Sequence, residues 1–473
     1  MKDVSVAKSK FRVGFKGVVN TSDESVTDMA YAVKAHNFAF DDDVLTGSIG
    51  IDRAQGYYPS PLVARHDYPT PPTNSKIKNV FLYRRLTSEG KHDDRIVAHL
   101  ENGHFIYTPI YRTADWHEIE ALNIGGEVSA VNYNFRGDDV LLLSSDEDAL
   151  YIVNDAHPLV CGSAPKFTSL TVHNERVFGS VNGSQNQVWF SDDFNPVNWS
   201  VSSDEAGYIN FSDECGEVIK VVSFLNYLYI FREYGIFRLT AYGEQSEFML
   251  KKVFTDTGRI VKHSIELCGD KIVFYADEGL FAFDGYEVTR IAKELMPLNR
   301  THLAYGAYLE DCYYLACDIL EDEGHNNAVV RYRFSDKSIS VLYGYDVRVL
   351  KSVRVHNGSQ VLCVFSSGGA LGMMSESGKV MGVPTLKEYA SPCNTLSSPS
   401  VKTVRKVSFQ TDSPVTLRVR TDDKVYERKV GGSEFMQTVH VEKSGRKIGF
   451  ELSCDCEHAR ISPLVVDIDV MQI

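Results

Sequence analysis

Apolar residues along this chain alternate with polar ones in runs of four to eight, broken by Gly, Asn, Asp and Ser. Alternation with a period of two puts one set of side chains on each face of a half-buried strand. A helix repeats its apolar face about every 3.6 residues instead. Tyr227-Leu-Tyr-Ile-Phe231 and Lys271-Ile-Val-Phe-Tyr275 are runs of the first kind. The pattern predicts one short helix, Asp23 to Lys34, with Ser22 or Asp23 as its cap.

The runs recur as a unit. Val218 to Thr240 holds an apolar strand, a polar turn at Asn226, a hydrophobic strand, a turn at Gly235 and another strand. His263 to Gly285 repeats the order, with turns at Gly269-Asp270 and Glu278-Gly279. Similar units begin near Val80, Val128, Leu170, Ala304 and Val349, with turns at Arg136 to Asp139, Asn174-Glu175 and Asn357-Gly358. The starts lie about 40 to 50 residues apart, the spacing of propeller blades. One four-stranded meander cannot bury both of its faces, whereas several stacked radially can. The predicted fold is therefore all-β, a β-propeller of about seven blades over residues 77–390.

Residues 1–76 read as an N-terminal arm, too short for a core of its own. Phe38-Ala-Phe40 and Val44 to Ile51 are its candidates for a strand that closes the ring. Tyr57 to Pro61 and Pro69 to Pro72 read as extended linker. Around Ser391 to Ser400 the composition shifts to Ser, Pro and Asn. The short apolar runs beyond it predict a small C-terminal β-sandwich over residues 391–473.

Composition sharpens this picture. Tyr and Phe number 25 each against 3 Trp, an enrichment that suits pleated, half-buried surfaces. A net charge of -14 argues against wrapping nucleic acid, which needs clustered Lys and Arg. It is compatible with a wall past which DNA slides. The nine cysteines are odd in number and scattered, so they read as buried free thiols of a reducing cytosol. The sequence shows no signal-peptide pattern and no apolar run near the roughly 20 residues of a membrane span. Synthesis in the cytosol without membrane insertion is expected.

Chemistry-bearing motifs are scarce. There is no phosphate-binding GxxxxGK[ST], no GxGxxG after a strand, no HExxH and no paired CxxC. Cys454-Asp-Cys456 near His458 has a spacing poorly suited to zinc and reads as strand thiols. The acidic runs Asp41 to Asp43, Asp146 to Asp148 and Glu321 to Glu323 read as solvated turns. No catalytic residue, metal ligand or cofactor is expected. In Val188 to Trp199, Ser191, Asp193 and Trp199 echo the Asp-box turn of sialidase propellers. The box glycine is replaced by Asn195 and the Trp comes one residue late. No sialidase arginine cluster accompanies it, so the echo supports a propeller and not a hydrolase.

A second likeness is closer. Trp189-Phe-Ser-Asp, Asn195-Pro and Trp199 are followed by Gly207-Tyr-Ile-Asn-Phe-Ser, and then by the run from Ile219 to Thr240. This combination resembles the propeller-containing virion proteins of short-tailed bacteriophages, the packaged-DNA-stabilising head-completion and tail nozzle or hub proteins. The likeness is clear at residue level over about residues 185 to 245. The opening from Ala35 and the closing module from Lys402 also resemble that family. Longer nozzle proteins of that family carry extra platform domains, which the resemblance over these residues does not extend to. The resemblance implies a non-enzymatic virion component assembled in the host cytoplasm. Its copies would form a homo-oligomeric ring on the DNA exit path, contacting other tail or connector proteins and passing double-stranded DNA without reading sequence. A receptor- or carbohydrate-binding tail protein is the alternative, and a propeller glycosidase or lyase a third. Trp189 and Phe190 are expected in a blade strand, and Asn195-Pro196 in a turn. Arg232 and Arg238 are expected to pair with Glu233 or a neighbouring blade.

Overall fold

The computed structural model describes residues 5–19, 23–55, 75–110, 115–181, 186–202, 205–255, 258–293, 303–319, 325–355, 358–366, 369–422 and 424–472. The two Pro-rich stretches read as linker, the acidic run 321–323, Ser22 and Asn357 lie outside them. Among the described residues every regular element is a strand, except two single-turn 3-10 helices at Gln245–Glu247 and Lys262–Ser264.

The chain folds as a β-propeller. Five sequential four-stranded meanders form separate sheets, over residues 77–123, 129–161, 167–210, 218–255 and 266–291. Two further quartets are built into larger sheets. One spans 305–343. The other takes three strands from 347–375 and its fourth, Gly50–Arg53, from the N-terminal segment. The first strands begin at Ile77, Ser129, Phe167, Val218, Glu266, Tyr305 and Val347, close to the unit starts read from the sequence. Three of their hairpins use turns in which both central residues have positive φ, at Arg136-Gly137, Asn174-Glu175 and Leu225-Asn226. Such turns match the twist of the flanking strands.

The ring is held by apolar side chains buried between neighbouring blades. Val188 and Phe190 pack with Leu228 and Ile230, and Phe231 meets Phe274 edge-on at 5.7 Å. Val353, Leu362 and Val364 of the last blade pack with Val80, Ile96 and Ala98 of the first, which closes the circle. Each fully buried side chain of this kind contributes about 1.5 to 3 kcal/mol. Polar stitches run beside the apolar contacts. The first strand of each blade is a sheet edge, so its inward amides need partners. The hydroxyls of Ser129, Ser169 and Ser352 accept the amides of Leu170, Val221 and Tyr308 in adjoining blades at 2.9, 3.3 and 2.7 Å. Tyr83 and Tyr133 each donate a hydroxyl to a hairpin carbonyl of the next blade at 2.7 Å.

The predicted helix at Asp23 to Lys34 is not formed. The carboxylates of Asp23 and Asp28 capture the amides of Ser25 and Ala30, at 2.8 and 2.9 Å. Such local bonds compete with a helical ladder. The segment turns instead and enters the strand Lys34–His36.

That three-residue strand welds the molecule together. It pairs in parallel with the propeller strand Ile339–Tyr343 and antiparallel with Lys387–Ala390. Lys387–Ala390 in turn pairs with Ile448–Cys454 of the C-terminal module. One nine-stranded sheet thus runs from the central strand Tyr305–Leu309 out to Val425–Val430, across the expected boundary at residue 390. The facing sheet of the module includes Lys402–Thr411, Leu464–Gln472 and the N-terminal strand Ser5–Val13. Residues from the propeller and the module share one continuous core. Within the N-terminal segment, ring closure falls to Gly50–Arg53, while the Ala39–Asp41 and Val44–Thr46 hairpin joins the module's sheet.

Closure requires close approach at Gly372, where a Cβ would stand 2.5 Å from Cγ2 of the fully buried Ile51. Gly372→Val is therefore expected to lower the melting temperature. Ile51→Ala should cost about 3 kcal/mol by denaturant titration, whereas Val6→Ala on the exposed N-terminal strand changes little. Equal effects at both positions would contradict the closure. The weld is also pH-sensitive. Burial holds His36 neutral, with its pKa lowered from 6.5 to about 4; Lys34 adds to the depression and Glu388 opposes it. Between those values only the unfolded chain binds the proton, so stability falls as the pH drops from about 6.5 to about 4. His36→Phe keeps a ring against Tyr343, 4.3 Å away, and should flatten this slope in urea titrations across that range.

Candidate functional site

The segment that carries the family resemblance is scaffold. Trp189 and Phe190 lie in the strand Gln187–Phe190, as expected. Phe190 is fully buried, and half-buried Trp189 stacks on Tyr208 of the paired strand at 4.8 Å. The Asp-box-like stretch is a compact turn. Asp192 bridges to Asn195, the Asn198 amide donates to the Asp192 carboxylate at 2.7 Å, and buried Trp199 donates to the Pro196 carbonyl at 2.9 Å. Ser191 accepts the amide of Val177 at 3.0 Å, tying the turn to its blade.

The expected partners of Arg232 and Arg238 differ. Arg232 is completely buried, pairs with Asp213 at 3.1 Å, and donates to the Gly216 carbonyl. Its guanidinium lies over the rings of Phe211 and Phe237. Arg238 sits over Tyr227, 4.4 Å from the ring centre. Glu233 is taken by Arg259 at 2.6 Å. The planar guanidinium explains the choice, since it satisfies a carbonyl and a carboxylate while its faces pack on aromatics.

Cys454 and Cys456 do not converge with His458. Cys454 is a buried strand thiol whose pKa burial pushes up to about 11. The Cys456 carbonyl accepts the ammonium of buried Lys387 at 2.7 Å, and His458 is exposed beside Glu457. Among the described residues no group of three or more His, Cys, Asp or Glu is placed to hold a metal ion. The acidic runs serve backbone. Asp43 accepts the Phe15 amide, and Asp148 and Asp146 accept those of Gly125 and Glu127.

A polar cluster lies elsewhere, in the central channel, a space of about 350 Å³ lined by the first strands of the blades. Lys220, Lys262, His263, Glu127, Glu266 and Lys351 face it. Glu127 takes Lys262 and, at 3.0 Å, His263. Burial opposes the charge on Glu127, but these partners win and lower its pKa to about 2. Burial lowers the pKa of His263, whose ring stacks on Tyr305 at 4.3 Å. Burial likewise pushes Lys220 down to about 8. Sequence reasoning missed this cluster. Each member lies near the start of a first strand, so aligning the repeats to each other would have exposed it.

Comparisons with known proteins add likeness of fold at low identity. No family model matches the chain, and no curated protein does. Among solved structures, BBS1N in complex with ARL6DN aligns over 64% of this chain and 93% of that one, at 11% identity and a TM-score of 0.44. PorZ, a surface component of the type-IX secretion system of Porphyromonas gingivalis, aligns over 80% and 57%, at 8% identity and 0.41. Hsv2p of Kluyveromyces lactis aligns over 59% and 87%, at 9% and 0.35. The propeller assignment rests on this chain's own strand order.

Arg232 is the test of the scaffold reading. Arg232→Lys removes the fork and shortens the reach to Asp213. Because Asp213 is about one-third exposed, the cost should fall below that of a fully buried pair, at about 2 kcal/mol. Denaturant titration checks this, and a stability unchanged from the wild type would contradict it.

Proposed function

We propose that this chain is a structural component of a bacteriophage particle. It would be a head-completion or tail nozzle or hub protein whose copies form a ring on the DNA exit path, with a mechanical and not a catalytic role. The observation that carries the reading is the weld. A propeller and a sandwich that share a sheet and a core make one stiff body with two separate ends. Such a body transmits load between neighbours, which inter-domain hinges would dissipate. The likeness of residues 185 to 245 to phage virion proteins gives the stiff body its setting.

In this reading the propeller's own channel does not conduct DNA. Its volume equals on the order of ten water molecules at about 30 Å³ each, too small for a duplex. DNA passes instead through the opening enclosed by several copies. The net charge of -14 keeps phosphate from adhering to that wall. The docking surfaces are loops on one propeller face and the C-terminal sandwich, where Phe435 and Met436 stand exposed.

The alternative, a receptor- or carbohydrate-binding tail protein, is favoured by one feature. Phe194, Tyr242 and Tyr286 follow the third strands of three consecutive blades, and all three are strongly exposed. Exposed rings in such connections are suited to stacking on sugars.

An amber mutation in the gene and mass spectrometry of purified particles separate the readings. The structural reading expects the chain in virions at the copy number of a ring, and mutant particles that lose DNA or lack tails. Complete virions that merely fail to adsorb would favour the alternative. Normal infectious particles without the chain would contradict both.

A further inference from the structure

The central channel holds more positive charge than its own groups neutralise. Lys220, Lys262 and Lys351 face it, against the two carboxylates Glu127 and Glu266. Three cations less two anions leave +1, in a chain whose net charge is -14. Both carboxylates are engaged. Glu127 is shared by Lys262 and His263, and Glu266 accepts the Ser352 hydroxyl at 2.9 Å. Lys220 donates to a neutral group, the carbonyl of Ile265. Lys351 makes no ion pair among the described residues.

Leaving an ammonium in a confined, partly desolvated space without a counter-charge is unfavourable. The strain is visible in Lys220, which burial pushes to a pKa of about 8; Lys351 and Lys262 add to the depression, while Glu266 and Glu127 oppose it. Thr171 also lines the space. Its volume of about 350 Å³ falls at the small end of ligand pockets.

We propose that the channel is a binding site for a small oxyanion of the size and charge of inorganic phosphate, held by Lys220 and Lys351. The inference stands apart from any role in a virion, because it rests only on the charge and volume of the channel.

The test titrates the full-length protein with inorganic phosphate at constant ionic strength, by calorimetry and by 31P line broadening, with chloride as the control anion. The expected result is one saturable site per chain, absent with chloride. Lys220→Gln and Lys351→Gln should each weaken binding at least tenfold, whereas Lys429→Gln on the exposed strand Val425–Val430 leaves it unchanged. Raising the pH from 7 to 9 should weaken binding to the wild type, as Lys220 loses its proton, but not further weaken what remains in Lys220→Gln. The wild-type titration and its pH dependence decide the matter even if a variant misfolds. No phosphate binding by the wild type, binding indifferent to pH, or wild-type affinity in both lysine variants would overturn the proposal.

Discussion

Everything in this molecule depends on a four-residue strand finding a partner more than three hundred residues away. Gly50–Arg53 completes the blade whose other strands come from 347–375. Without it, that blade would present an open edge at the point where the last and first blades meet. Ring closure of this kind is cooperative. Each interface of buried apolar residues holds two blades, and the last one forms only if all the others are in place. The entropy of closing so long a loop rises only logarithmically with its length, so a short strand suffices once the blades have stacked. Such non-local pairing is expected to make folding slow.

The same N-terminal segment does three jobs in under fifty residues. Ser5–Val13 edges one sheet of the C-terminal module, Lys34–His36 fuses the module to the propeller, and Gly50–Arg53 closes the ring. The arm is thus a strap laid over both ends of the chain. The buried lysine Lys387 lies at the same junction, held by the carbonyls of Gly378, Thr385 and Cys456. It has a lowered pKa because burial outweighs the acidic groups and thiols nearby. A charge solvated by three backbone carbonyls and the Thr385 hydroxyl fixes the relative placement of three segments, which fits a body that must not hinge.

Much of this was legible in the sequence, and for a physical reason. Blades are local meanders, so alternation and turn residues mark them wherever they fall. The turns at Arg136, Asn174 and Asn226 and the strand holding Trp189 and Phe190 were read correctly. The weld could not be read, because His36, Val341 and Glu388 meet only in three dimensions and each run is too short to carry a period. The predicted helix failed because Asp23 and Asp28 bond their own backbone, a choice that apolar spacing does not reveal. Of the partners expected for Arg232, Glu233 or a group of a neighbouring blade, Glu233 is taken by Arg259, and Asp213, nineteen residues away in the chain, is the acid that Arg232 meets. The channel cluster was hidden for a related reason: its members are scattered from Glu127 to Lys351, and only the closed ring brings them together.

Hydrogen exchange followed by mass spectrometry in the native protein reads the central claim directly, that propeller and C-terminal module are one cooperative body locked by the N-terminal strap. The account predicts that amides in 34–36, 50–53, 371–375 and 387–390 exchange with the same free energy as the blade cores, near that of global unfolding. If the segments from 387 onward open several kcal/mol more easily than the blades, the two parts are separate bodies joined by a hinge, and the account is wrong.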